Sequence, residues 1–213
     1  MRFKLQILSG WALMTALGIP ARAAQPKIQS CAEYRVTKRS FLVTEQTVTG
    51  RTCEVLVSVS QVERDRYTLR GSFDWNTVDS GSSLRDSHVA EHFAHDGQSR
   101  VVFESDPISK DALGQLALGR AKPRVNGHLT VGKQRASVVF ELERVSVGRM
   151  RARAETGFEA LGLEPPSAGA GVVAKVRDPL VLVLELDLVT VDMSTAPRLR
   201  ALYDQPELAE AMQ

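Results

Sequence analysis

The chain has only 2 cysteines in 213 residues, so it is not a disulfide-dense miniprotein. No apolar run reaches the roughly 18 residues that a spanning helix requires. Neither sign of charge dominates: 27 Lys and Arg face 25 Asp and Glu, a formal net charge of +2. That balance gives no general pull toward nucleic acid or an acidic membrane surface. Aromatic residues make up 6%, which leaves little for the two interfacial girdles of an outer-membrane barrel. No G-x-S-x-G elbow surrounds any serine. Gly169-Ala170-Gly171 does not match a dinucleotide fingerprint, and Lys175 is not set in a phosphate-loop frame. Internal repeats and low-complexity tracts are also missing. What is present is 43% hydrophobic, enough for a core in one domain.

The first residues stand apart. Arg2 and Lys4 precede a mostly apolar stretch from Leu5 to Ile19, and Pro20-Ala21-Arg22-Ala23-Ala24 follows. Small residues at Ala21 and Ala23 suit a signal peptidase, so residues 1–23 read as a signal peptide cleaved after Ala23. Its removal leaves 24 bases against 25 acids. The remainder divides into a barrel domain, 24–192, and a C-terminal tail, 193–213. Export implies a periplasmic or secreted protein, and two cysteines in an oxidising compartment more often pair than stay free. A Cys31–Cys53 disulfide would stabilise the fold by roughly 3 kcal/mol in the chain-entropy model. Neither cysteine has a close Cys or His partner for zinc.

Period-two alternation dominates the rest. Tyr67, Leu69, Gly71 and Phe73 interleave with polar residues, as do Val125, Gly127, Leu129 and Val131. So do Met150, Ala152, Ala154, Thr156 and Phe158, and then Leu182, Leu184, Leu186 and Leu188. Weaker alternation runs through Val55-Val57-Val59, Val101-Phe103 and Val138-Phe140-Leu142. Strands with one dry and one wet face, about eight of them, predict an all-β fold: an antiparallel barrel or sandwich. Helical spacing of Leu84, His88, Val89 and Phe93 predicts one short helix around 83–93. Leu199, Leu202 and Tyr203 predict a second in the tail.

Two chemistries are open at this level. His88, His92 and His95 fall at i, i+4 and i+7 and could grip a metal or a small polar ligand. The dry face mixes large residues (Phe73, Phe103, Phe140, Phe158) with small ones (Gly71, Gly127, Ala152, Ala154). That mixture either leaves room for a guest or fills a tapering barrel. Alternation alone does not say whether the dry face points inward or, as in an outer-membrane barrel, outward.

Four blocks resemble the YceI-like polyisoprenoid-binding proteins. Gly71-Ser72-Phe73, Val78-Asp79-Ser80-Gly81 and Leu84-Arg85-Asp86-Ser87-His88-Val89 look like that family's R-D-x-H segment and its approach. Phe93 with Val101-Val102-Phe103-Glu104-Ser105 resembles a second block. Val125-Asn126-Gly127-His128-Leu129-Thr130-Val131 resembles a third. Phe158 through Gly162 to Val176-Arg177-Asp178-Pro179-Leu180-Val181-Leu182 resembles the closing loop and strand. The likeness runs from Ala32 to Val191. The turn Gly132-Lys133-Gln134-Arg135 is shorter than is usual in that family, and the cysteine pair and tail are not typical of it.

The resemblance implies an extended, lipocalin-like antiparallel barrel that binds a lipid or isoprenoid without chemistry or cofactor. Phe73, Phe103, Leu129, Phe140, Met150, Phe158, Leu184 and Leu186 would line the guest. Arg85, Asp86 and His88 would stand at the pocket mouth. Nucleic acid is not an expected partner, and homodimerisation stays open.

Overall fold

The computed structural model describes residues 29–40, 45–93, 98–168 and 174–204; the expected signal peptide and His95 lie outside them. Strands β1 (Cys31–Ser40), β2 (Glu45–Thr52), β3 (Leu56–Glu63) and β4 (Arg66–Asp74) come first. Helix α1 (Ser83–Phe93), β5 (Arg100–Ser105), the short β6 (Ile108–Ser109) and α2 (Lys110–Ala117) follow. Then come β7 (Arg124–Val131), β8 (Gln134–Ser146), β9 (Arg149–Thr156), the short β10 (Ser167–Ala168), β11 (Ala174–Asp187) and α3 (Pro197–Asp204).

All strand pairings within the sheet are antiparallel, in the order β2-β1-β11-β9-β8-β7-β5-β4-β3. β10 adds to β11 and β6 to β4. The sheet curls into a lipocalin-like barrel, and chain geometry shows why. β2 and β3 are the two edges, yet Thr52 and Leu56 are joined by three residues, which span roughly 13 Å at most. The edges must therefore approach each other at that corner. They close through patches, not through a β2–β3 ladder. Arg51 and Asp79 exchange backbone hydrogen bonds, both 2.9 Å, and Thr52 Oγ1 lies 2.8 Å from Thr77 Oγ1. On the other edge, Val59 N donates to Asp192 O at 2.8 Å and Asp192 N donates to Val57 O at 2.9 Å.

Cys31 and Cys53 form the expected disulfide. Ala32 pairs with Thr52, so the bridge joins the next pair along that ladder and staples the corner where the barrel closes.

The dry face turns inward. Outside, Lys122, Glu143, Arg151, Glu185 and Arg51 form a run of ion pairs across β8, β9, β11 and β2. Each exposed pair contributes little stability. As a surface, the run is the opposite of the apolar band of an outer-membrane barrel, where an outward Arg at the bilayer midplane costs about 2–4 kcal/mol.

Three main elements go beyond the expectation. β1 and β2 extend the sheet, and α2 plugs the end opposite α1. Ser109 caps α2 by accepting a hydrogen bond from Ala112 N, Leu113, Leu116 and Ala117 form its buried face, and Gly119 at φ 70° ends it. The tail helix α3 packs beside α2: Leu199 is buried, and the Tyr203 hydroxyl donates to Leu113 O at 3.3 Å. Met193 and Ala196 are buried in the same core. Gly148, at φ 72°, makes the turn between β8 and β9.

Candidate ligand-binding cavity

α1 lies over the mouth of the barrel, and its position is set from both ends. At its start, Asp86 Oδ1 accepts from Ser80 N (3.1 Å) and from the Ser80 hydroxyl. Arg85 donates through Nε to Ser80 Oγ (2.7 Å) and through Nη2 to Ser80 O (2.6 Å). Gly81, at φ 79°, donates to Asp79 Oδ1. The Arg-Asp pair of the sequence block thus clamps the 79–81 turn that also closes the sheet at Arg51. At the other end, Phe93 stacks on Trp75 with ring centroids 4.2 Å apart, and His92 Nε2 donates to Glu164 O at 2.7 Å.

Beneath α1 are two voids. The outer one has a cavity volume of about 340 Å³, at the low end for a small-ligand site. Its walls come from β1, β2, α1, the segment around Phe158 and Pro166, and β11. The inner one is much smaller, about 40 Å³, and lies among Phe73, Phe103, Leu129, Phe140 and Leu184. Tyr34, Phe93 and Leu180 border both voids and so stand as the wall between them.

The expected site residues therefore separate into four groups. Phe73, Phe103, Leu129, Phe140 and Leu184 gather around the inner void. Phe158 lies on the outer one, but not as a strand residue: β9 stops at Thr156, and Phe158 N donates to Asp178 Oδ1 at 2.9 Å at the start of a short 3-10 turn. Arg85 and His88 border the outer void, whereas Asp86 faces Ser80. Met150 and Leu186 lie away from both, in the filled end with Leu113 and Leu199, where only about 20 Å³ is open. α2 and α3 occupy that end, so these two side chains are core and not cavity wall. The interior is also fuller than a hollow barrel would be, and its room lies at the mouth.

Sequence reasoning missed Tyr34, Trp75 and Leu180. Trp75 anchors an aromatic cluster, with Phe73 at 5.2 Å and Tyr34 at 5.9 Å, both edge-on. Its signal is the Asp74-Trp75-Asn76-Thr77 turn, in which Asp74 Oδ1 accepts from Asn76 N at 2.9 Å. The Tyr34 hydroxyl and Trp75 Nε1 are buried with no hydrogen-bond partner among the described residues. An unmet buried donor costs about 1–3 kcal/mol. Burial raises the Tyr34 phenol above its ordinary value, with nearby Arg85 working against that and Asp86 adding to it, so the hydroxyl stays protonated.

The described histidines do not converge. His92 is engaged by Glu164, His88 is exposed, and no group of three or more metal-ligating side chains occurs among the described residues. No helix among these residues is long and apolar enough to cross a membrane.

Similar solved structures include a polyisoprenoid-binding domain from Saccharophagus degradans implicated in plant cell wall breakdown. It has 17% identity and a TM-score of 0.48, over 72% of this chain and 93% of that one. BcnA of Burkholderia cenocepacia matches at 14% identity and TM-score 0.48, over 72% and 96%. The YCEI protein of Campylobacter jejuni matches at 13% and 0.48, over 66% and 84%. No protein-family model matches the sequence, and no curated protein does.

Proposed function

We propose that the protein is an exported, non-catalytic binding protein that holds the tail of an isoprenoid or similar amphiphilic lipid under α1. The observation that supports this is the pair of neighbouring voids: a roomy outer cavity, and an inner one walled by apolar side chains, divided by Tyr34, Phe93 and Leu180. A tail longer than the outer cavity advances by parting that wall and lies against Phe73, Phe103, Leu129, Phe140 and Leu184. Each buried methylene contributes about 0.8 kcal/mol, so ten carbons offer roughly 8 kcal/mol before the costs of association and ordering. The polar end stays at the mouth. Removal of residues 1–23 and a periplasmic or secreted location belong to the same proposal, and the disulfide supports them.

The test is to purify the exported protein without detergent, extract it into organic solvent and identify the extract by mass spectrometry. An isoprenoid or related lipid in near-stoichiometric amount is expected. A folded protein that yields no lipid and binds no added farnesol would overturn the reading.

A further inference from the structure

Lys38 breaks the pattern of β1. Ala32, Tyr34 and Val36 pair with Thr52, Gly50 and Val48 of β2 on the inner face, and the next such pair is Lys38 with Gln46. A lysine therefore occupies a position where alternation calls for an apolar residue. It is half-buried and lines the outer cavity. Among the described residues it has no hydrogen-bond or ion-pair partner. Among the described residues, the other charged or titratable side chains on that cavity wall are Arg85, His88 and Tyr34, and none is a carboxylate. The nearest acids in sequence are engaged elsewhere, Glu33 with Arg35 and Glu45 with Arg177 at 3.5 Å, and Asp86 beside Arg85 is bonded to Ser80. Arg85 spends Nε and Nη2 on Ser80, which leaves Nη1 for a guest.

A half-buried ammonium beside an apolar cavity, with no countercharge, is unfavourable until an anion meets it. From this placement we infer that Lys38, helped by Arg85, forms an anion subsite at the mouth, and that the ligand is an anionic amphiphile whose carboxylate or phosphate sits there. The inference rests on the cavity being a lipid site and adds the charge of the headgroup to it. A neutral lipid would leave the ammonium unmet, whereas an anion forms charge-assisted hydrogen bonds with it.

The experiment measures binding of three probes that share one prenyl tail: farnesol, farnesoic acid and farnesyl monophosphate. The protein is the intact mature chain and its Lys38→Met and Lys38→Arg variants. Wild type should bind at least one anion about tenfold or more tighter than the alcohol, about 1.4 kcal/mol. Which anion gains more tells a carboxylate headgroup from a phosphate. Lys38→Met should cut the anion preference severalfold, leaving the share that Arg85 supplies, without weakening the alcohol, and Lys38→Arg should keep the preference. Thermal unfolding verifies that both variants fold; losing an unpaired inward charge should not lower stability. Equal affinity of wild type for all three probes would overturn the subsite while leaving the cavity reading intact. So would an undiminished anion preference in Lys38→Met. If folded wild type binds none of them, farnesol included, the cavity reading fails and the subsite with it.

Discussion

Gly50 lies opposite Tyr34 on the inner face of the β1–β2 ladder, and replacing it with alanine tests the wall between the two voids directly. A Cβ at this position would lie 2.2 Å from Tyr34 Cε1, 2.7 Å from Cζ and 2.9 Å from the hydroxyl oxygen. Ordinary contact begins at 3.4 Å, so the ring must retreat by about 1 Å. Gly50 is not among the glycines at positive φ, so alanine adds no backbone strain and the whole effect comes from the ring. Overpacking a dense core costs about 1–3 kcal/mol. Here the ring borders open space on both sides, which places the expectation at about 1–2 kcal/mol. In a domain of this size that lowers Tm by roughly 2–8 °C. The displaced ring also enters space the guest would use, so farnesol affinity should fall in the same variant. Removing the ring with Tyr34→Ala and then adding Gly50→Ala completes a double-mutant cycle. In the Tyr34→Ala background, Gly50→Ala should cost less than about 0.5 kcal/mol. If it costs as much as in wild type, the clash is not with Tyr34 and the account of the wall is wrong.

Other outcomes follow from the same structure. A Cβ at Gly71 meets nothing within 4 Å, so Gly71→Ala should leave the urea midpoint nearly unchanged while narrowing the inner void and weakening long-tail binding. At Gly127 a Cβ would lie 2.5 Å from Glu104 O and 2.7 Å from two Phe103 ring atoms. Because the first of these is backbone, Gly127→Ala should cost about 3 kcal/mol or more, and Phe103→Ala should not rescue it. Replacing both cysteines with serine should lower unfolding free energy by about 3 kcal/mol, read from denaturant titrations, for a bridge spanning 22 residues. Backbone donation from Ser194 N holds the Asp192 carboxyl below the usual range, and Ser99, then Asn76 and Arg100, hold Asp74 below it against burial. The unfolded chain therefore binds more protons near pH 4. The contribution of these two carboxylates is present above about pH 4 and lost as pH falls through their lower folded values. An Asp74→Asn, Asp192→Asn double variant should show a flatter acid limb than wild type in urea midpoints taken at successive pH values.

Much of the barrel was legible because burial imposes a period of two on its strands. β4, β7, β8, β9 and β11 each carry apolar residues at alternate positions, and α1 falls at 83–93 because Phe93 and Ala90 face inward at helical spacing. β2 left no such trace. Its inward residues are Val48, Gly50 and Thr52, its outward ones Thr47, Thr49 and Arg51, and that contrast is too weak to read as a dry face. α2 is eight residues long and was overlooked after Pro107, although Ser109, the Leu113–Leu116–Ala117 spacing and Gly119 together mark it. Phe158 misled differently. Its parity continues β9, but Gly157 and the Asp178 hydrogen bond turn the chain, and the side chain is buried from another direction.

The location of the empty space was the least legible feature, and the two glycines show why. Gly71 and Gly127 look alike in sequence, each a small residue on a dry face. In the fold Gly71 opens onto the inner void, while the Phe103 ring of the neighbouring strand covers Gly127. Strand order decides the difference, since Phe103 pairs with both Gly71 and Leu129 and its ring lies toward the β7 side. Small residues therefore mark close approach as often as they mark room, and neither periodicity nor composition separates the two. A charge out of phase behaves differently. Lys38 interrupts the inward series of Ala32, Tyr34 and Val36, and no arrangement of neighbours turns an ammonium into core packing. Where a strand's alternation is broken by a lysine at the mouth of a cavity, the residue that departs from the pattern says more about the guest than the residues that keep it.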